Sequence, residues 1–216
     1  VISRVDSTAL LQLFHDLGVC THGHFLLSSG RHSDEYWEKF RIFEHPLVTE
    51  RLCACIAECY RDQALAVVVG PTTGGGLLAQ ELARQLGVRC MIAEPAASGG
   101  RELRRGFVLQ AGERVLVVDD VLTTGLSVRE TLQALQTSQP TILGVELLID
   151  RSNGQAGRQF AVPCHALLNV AARSYEPATC PLCRQGVPVV RPGTRTALAQ
   201  KEGRGKDELP GQTAGS

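Results

Sequence analysis

The sequence predicts an α/β fold with a central parallel sheet flanked by helices, and three stretches carry that prediction. Residues 65–95, LAVVVGPTTGGGLLAQELARQLGVRCMIAEP, read as strand, glycine-rich turn, helix and strand. Residues 116–127, LVVDDVLTTGLS, read as a short buried strand, two carboxylates and a small turn that opens the helix SVRETLQALQ. A further apolar strand, TILGVELLID, follows Pro140. Apolar strands that alternate with helices make βαβ units, and near-continuous apolar runs mean a sheet covered on both faces. The chain has 216 residues, 44% of them hydrophobic, enough for one core and small appendages. Its 22 basic and 22 acidic residues balance, so bulk charge predicts neither nucleic acid nor membrane as partner. The expected partner is a small molecule. No apolar run approaches the length of a membrane span, the opening VISRVDSTALLQLF lacks a signal peptide's layout, and the expected location is the cytoplasm.

In chain order, Leu10, Leu11, Leu13, Phe14 and Leu17 recur at helical spacing, with Ser7 or Thr8 suited to cap the start and Gly18 to end the helix. Residues 21–40 suggest a hairpin or loop bent at Gly30, and Pro46 starts a helix that runs to about Tyr60. The βαβ run follows. Its turn also fits G-x-G-x-x-A at Gly74, Gly76 and Ala79, with Glu94 at the end of the next strand, the pattern of a dinucleotide fingerprint. That pattern leaves 119–127 unexplained, and the preferred role of Thr72, Thr73 and Gly74 is an anion cradle of backbone N–H groups. Between Glu94 and Glu113, Gly99 and Gly100 could hinge a mobile flap whose Arg101, Arg104 and Arg105 neutralise a polyphosphate, the plainer alternative being a solvated hairpin. A last strand is expected in FAVPCHALLNV, and from about residue 191 the chain turns polar and glycine-rich, as a disordered tail would.

The stretch 116–127 has the makings of a sugar-phosphate seat. Unpaired N–H groups and the positive end of the dipole at a helix start favour a phosphate, here above Thr123, Thr124, Gly125, Leu126 and Ser127. A phosphate alone needs no acids, whereas a ribose offers hydroxyls from which Asp119 and Asp120 can accept, and magnesium could hold the geometry. An ordinary strand and turn with exposed acids and a Thr cap is the bland alternative. Arg151, at the carboxyl end of the strand 141–150, points at the crevice where such sheets bind ligands, and its planar fork suits a carboxylate; an ion pair with Asp150 would explain it equally.

Eight cysteines in a cytoplasmic chain should be reduced thiols. Cys53, Cys55 and Cys59 read as small apolar residues of a helix. Cys180 and Cys183 form a C-P-L-C pair that could be half of a zinc site, with Cys164 and His165 as the nearest residues to complete it. His22 and His24 have no third ligand in view and read as surface or hydrogen-bonded histidines.

The acid pair with its TTG-S turn resembles the signature of the type I phosphoribosyltransferases, and within them the chain is most similar to the orotate phosphoribosyltransferases. The likeness runs through GHFLLSSGRHS, VVVGPTTGGGLLAQELARQLG, RRGF, VLVVDDVLTTGLSV and the pair Asp150-Arg151. It implies one phosphoribosyltransferase domain over 1–190, with a small N-terminal hood at about 18–45, a core at about 62–172 and a flexible flap. It implies transfer of ribose 5-phosphate from phosphoribosyl pyrophosphate to orotate, with magnesium, in a homodimer. By the resemblance Asp119 and Asp120 hold the ribose hydroxyls, and residues 121–127, including Val121 and Leu122, seat the 5-phosphate, with Thr123 also near orotate. Arg151 pairs with the orotate carboxylate. Arg101, Arg104 and Arg105 close on the pyrophosphate, Arg105 counting among the catalytic residues. Many relatives carry cations where this chain has Ser28, Gly74, Glu94 and Pro95. Either the three arginines take over or affinity for pyrophosphate is reduced. Action on another base, or a non-catalytic sensor of phosphoribosyl pyrophosphate, therefore stays open.

Overall fold

The computed structural model describes residues 6–27 and 29–192. It divides into two compact units, one of residues up to 22 together with 35–173, the other of residues 23–34 together with those from 174 onward. Most of the expected tail, and Ser28, lie outside the described residues.

The first unit opens with helix α1 (Ser7–Asp16), whose N-cap is Asp6, accepting from the Thr8 N–H. The expected caps, Ser7 and Thr8, are instead the first two helical residues, because a carboxylate one position earlier reaches the free N–H. Strands β1 (Cys20–Leu26) and β2 (His32–Trp37) pair as the expected hairpin, then come the short α2 (Phe40–Phe43) and α3 (Pro46–Ala57), with Pro at its first position.

The core is a six-stranded sheet in the order β5-β4-β3-β6-β7-β8. Its strands are β3 (Val67–Pro71), β4 (Arg89–Pro95), β5 (Arg101–Leu103), β6 (Arg114–Leu122), β7 (Thr141–Asp150) and β8 (Cys164–Asn169). Every pairing is parallel except that of β4 with β5 at one edge. Helices α4 (Gly74–Leu86) and α5 (Leu126–Gln136) connect β3 to β4 and β6 to β7. Alternate residues of each central strand feed opposite faces. Val68, Leu116, Val118 and Leu148 join the cluster containing Phe14, Ile56 and Leu82, while Val67, Val69, Val115, Val117, Val145 and Leu147 join the one containing Val128 and Leu135. Each such fully buried aliphatic side chain stabilises the fold by about 1.5–3 kcal/mol.

Strand β6 runs through both acids to Leu122, further than the apolar run 116–118 implies. Hydrogen bonding to β7 continues past the acids, with Leu122 beside Asp150, so the ladder outlasts the apolar pattern. The sheet's central strands β3 and β6 therefore end in adjacent turns, the Thr72-Thr73 turn and the Thr123–Ser127 turn, and β7 delivers Arg151 next to the second.

Candidate active site

Asp119 and Asp120 are both buried, 4% and 1% exposed, at the end of the central strand. Neither is the exposed acid of the bland alternative. Asp119 accepts from its neighbour's backbone N–H at 2.9 Å and from the Ser127 hydroxyl at 2.8 Å, which ties the acid to the first turn of α5. Burial, and then the adjacent Asp120, raise the Asp119 carboxyl well above the usual carboxylate range, with the Ser127 bond opposing. Asp120 accepts from the Val121 N–H at 2.7 Å and meets Lys39, whose Nζ lies 2.8 Å from Oδ2 and 3.1 Å from Oδ1.

The glycine of the other turn is explained by the same acid. A Cβ on Gly74 would sit 1.7 Å from Asp120 Oδ2, so the α4 N-terminus lies against the carboxylate only because residue 74 has no side chain. That is also why the cation many relatives carry there is missing. The fingerprint reading of Gly74 is thereby replaced by a nearer cause.

After β6 the chain opens outward. Thr123 and Thr124 are exposed, and Gly125, at φ +77°, is the N-cap of α5. Together with Val121, Leu122, Leu126, Ser127, Glu130 and Arg101 they line a cavity of about 230 Å³. Helix α5 is 11 residues long, so its free N–H groups and dipole face this cavity.

The three arginines separate. Arg101 belongs to edge strand β5 rather than to a free flap, because β5 pairs with β4 and places Arg101 opposite Pro95. Its Nη1 donates to the Ala93 carbonyl at 3.0 Å and to Thr72 Oγ1 at 3.3 Å, and its Nε lies 3.6 Å from Glu130. It thus spans the two turns. Arg104 and Arg105 lie beyond β5, exposed, on Glu102 and Glu94 respectively. Glu94, which stands where many relatives carry a cation, holds Arg105 at 2.6 Å.

Arg151 does not pair with Asp150, whose carboxylate accepts from Ser152 and from the Gly154 N–H. Its backbone N–H donates to the Leu122 carbonyl, its guanidinium lies 5.9 Å from the Trp37 ring centre, and its buried Nε has no hydrogen-bond partner among the described residues. Burial lowers its pKa from the ordinary arginine value, with Glu35 opposing. An arginine held this way, one N–H unspent, is a receptor for a planar anion.

Sequence reasoning missed Lys39, which lies 81 positions from its acid and carries no motif. It also misassigned the companions of Cys180 and Cys183. Cys164 and His165 begin β8, where His165 Nδ1 lies 3.0 Å from Glu146, whereas the two thiols lie in the second unit beside His24 and His32. His24 is 3% exposed, not a surface residue.

A parallel sheet whose central strand ends in a buried acid pair and an open, hydroxyl-lined helix start defines a phosphoribosyl-transferring domain, and the model of the phosphoribosyl transferase domain matches residues 41–162. The orotate phosphoribosyltransferase of Desulforamulus reducens is 43% identical over 186 residues, 86% of this chain and 96% of its own length. That of Pelotomaculum thermopropionicum is 44% identical over the same shares. Among solved structures, the orotate phosphoribosyltransferase of Aeropyrum pernix matches with a TM-score of 0.64 at 26% identity, over 74% of this chain and 93% of that one. The chain belongs to the orotate phosphoribosyltransferase family.

Proposed function

We propose that this chain transfers ribose 5-phosphate from phosphoribosyl pyrophosphate to N1 of orotate, giving orotidine 5′-phosphate and pyrophosphate in pyrimidine nucleotide synthesis. The observation that carries it is likeness along nearly the whole length of named orotate enzymes, combined with a site in which the acid pair, the phosphate turn and an underused buried arginine all end on neighbouring strands.

The 5-phosphate lies over the N–H groups of 124–127, with the Thr123 and Thr124 hydroxyls beside it and Arg101 supplying charge from the cavity wall. Asp119 and Asp120 accept from the ribose hydroxyls, Asp120 exchanging part of its contact with Lys39 for them. As the C1–O bond breaks, positive charge grows on the ribose and negative charge on the departing pyrophosphate. The buried carboxylates favour the first. The N–H groups of 72–74, with Arg104 and Arg105 when released from their glutamates, favour the second. Arg151 holds the orotate carboxylate and so sets which face of the ring meets C1. The ring nitrogen is acidic enough to need no strong base, and none is assigned.

Magnesium fits this donor set as a substrate-held ion. The two carboxylates already accept from Ser127, Lys39 and backbone N–H groups, so the protein offers few free oxygens, as is usual where phosphates complete the shell. Asp119 and Asp120 would hold it, and when bound it offsets the charge of the leaving group. Among the described residues no helix is long and apolar enough to cross a membrane. We place the enzyme in the cytoplasm as a homodimer, with no nucleic-acid or membrane partner.

The test is loss of orotate absorbance on mixing protein, magnesium, phosphoribosyl pyrophosphate and orotate. Turnover that falls at least about 100-fold in Arg151→Ala and in Asp120→Asn is expected. Binding of phosphoribosyl pyrophosphate without turnover on orotate, uracil or purines would replace the enzyme by a sensor.

A further inference from the structure

The second unit holds a cluster that the transfer reaction does not use. Cys180 and Cys183 flank the one-turn helix α6 (Pro181–Arg184), and His24 and His32 come from the two arms of the hairpin. The four ligand atoms lie within 4.8 Å of one another. His24 Nε2 is 2.8 Å from His32 Nδ1, 3.5 Å from Cys180 Sγ and 3.7 Å from Cys183 Sγ, and Cys183 Sγ is 3.3 Å from His32 Nδ1. A tetrahedral zinc ion with the usual bonds to sulfur and nitrogen needs edges of about 3.3–3.8 Å, so only the two imidazoles must part slightly. We propose that these four residues bind one structural zinc ion.

Three further observations agree. His24 Nδ1 lies 2.7 Å from the Val187 carbonyl, a bond that needs the proton on Nδ1 and leaves the Nε2 lone pair facing the cluster. Zinc-binding histidines are oriented in the same way. The backbone brings the two distant segments together independently of the side chains. His32 and Tyr175 form a bridge, and so do Phe25 and Val190, while the Val190 N–H donates to the His24 carbonyl. Finally, among the described residues of this unit Cys180 alone stands among the buried apolar residues, and Val187, Val189 and Val190 are exposed. A unit that buries so little needs another staple, and a closed four-ligand metal site is one. Two thiolates and two neutral imidazoles in a tetrahedral set select zinc, and with all four positions taken by protein the ion is structural rather than catalytic.

The test uses the full chain, purified without chelator in the presence of reductant, with metal measured by mass spectrometry. About one zinc per chain is expected. Cys180→Ser with Cys183→Ser, and separately His32→Ala, should bring this below about a tenth, whereas His32→Cys, which restores a ligand, should keep it. Because a variant may fold poorly, the unaltered protein is also stripped with chelator and reloaded with cobalt, which should give the strong visible absorption of a tetrahedral thiolate site. Stripping should also lower the melting temperature, and zinc should restore it. Absence of bound zinc both as purified and after reloading under reducing conditions overturns the proposal. So does zinc retained in the double cysteine variant, or a Cys180–Cys183 disulfide that persists with reductant.

Discussion

The turns that follow β3 and β6 look alike in sequence, each a pair of threonines and a glycine, yet the structure uses them in opposite ways. After β3, residue 74 is buried against a carboxylate and tolerates no side chain. After β6, Thr123 and Thr124 are exposed, and Gly125 takes a left-handed φ at the mouth of a cavity. One glycine is set by what it touches, the other by the backbone angle it adopts. Similar composition therefore carries different physics.

Substitution at the first should do the greater damage. Gly74→Ala must drive Asp120 out of its place beside Lys39, and we expect activity to fall at least about 100-fold with about 2–4 kcal/mol of stability lost. Gly125→Ala meets only the Phe160 ring, at 3.1 Å, and pays chiefly for the left-handed angle, about 1–2 kcal/mol. Denaturant unfolding of the two variants side by side decides the order, and equal losses would break the contrast. Lys39→Met, which leaves Asp120 buried without its cation, should cost about 1–3 kcal/mol in the same measurement.

A smaller effect separates charge from shape at the acid pair. Because folding raises the Asp119 pKa, the carboxyl's contribution is whole below its unfolded value, near about 4, and is lost as pH rises through the folded value. Asp119→Asn carries no such loss, and Ser127 can turn its hydroxyl to suit the amide. The variant should therefore gain melting temperature over the parent at pH 8, by a few degrees at most, with a smaller gain at pH 4, while turnover falls. A gain that does not grow with pH would deny Asp119 its buried charge. Smallest of all, Arg104→Ala, which removes an exposed cation paired with its own near neighbour, should raise the KM for phosphoribosyl pyrophosphate by no more than about tenfold and leave stability unchanged.

Much of this was readable along the chain because the features are local. The βαβ run, the acid pair and the TTG-S turn each lie within a dozen or so consecutive residues, where strand alternation, helix starts and turn chemistry act on neighbours. The strand-to-helix placement of 116–127 follows from that, as does Arg151 at the end of the next strand. Arg101 was assigned to a flap because glycine and arginine density says nothing about which residues hydrogen-bond to a sheet edge.

Residue order alone thus determined the parallel sheet, its central acid-bearing strand and the phosphate turn. Tertiary structure alone decided that Lys39 meets Asp120, that Gly74 lies on the same carboxylate, and that His24 and His32 rather than Cys164 and His165 join the C-P-L-C pair. The reason is range. Hydrogen bonds and turns bind near neighbours whose spacing fixes their geometry, whereas these contacts join residues about 46 to 160 positions apart, and only the packed sheet and the backbone bridges of the second unit bring them together.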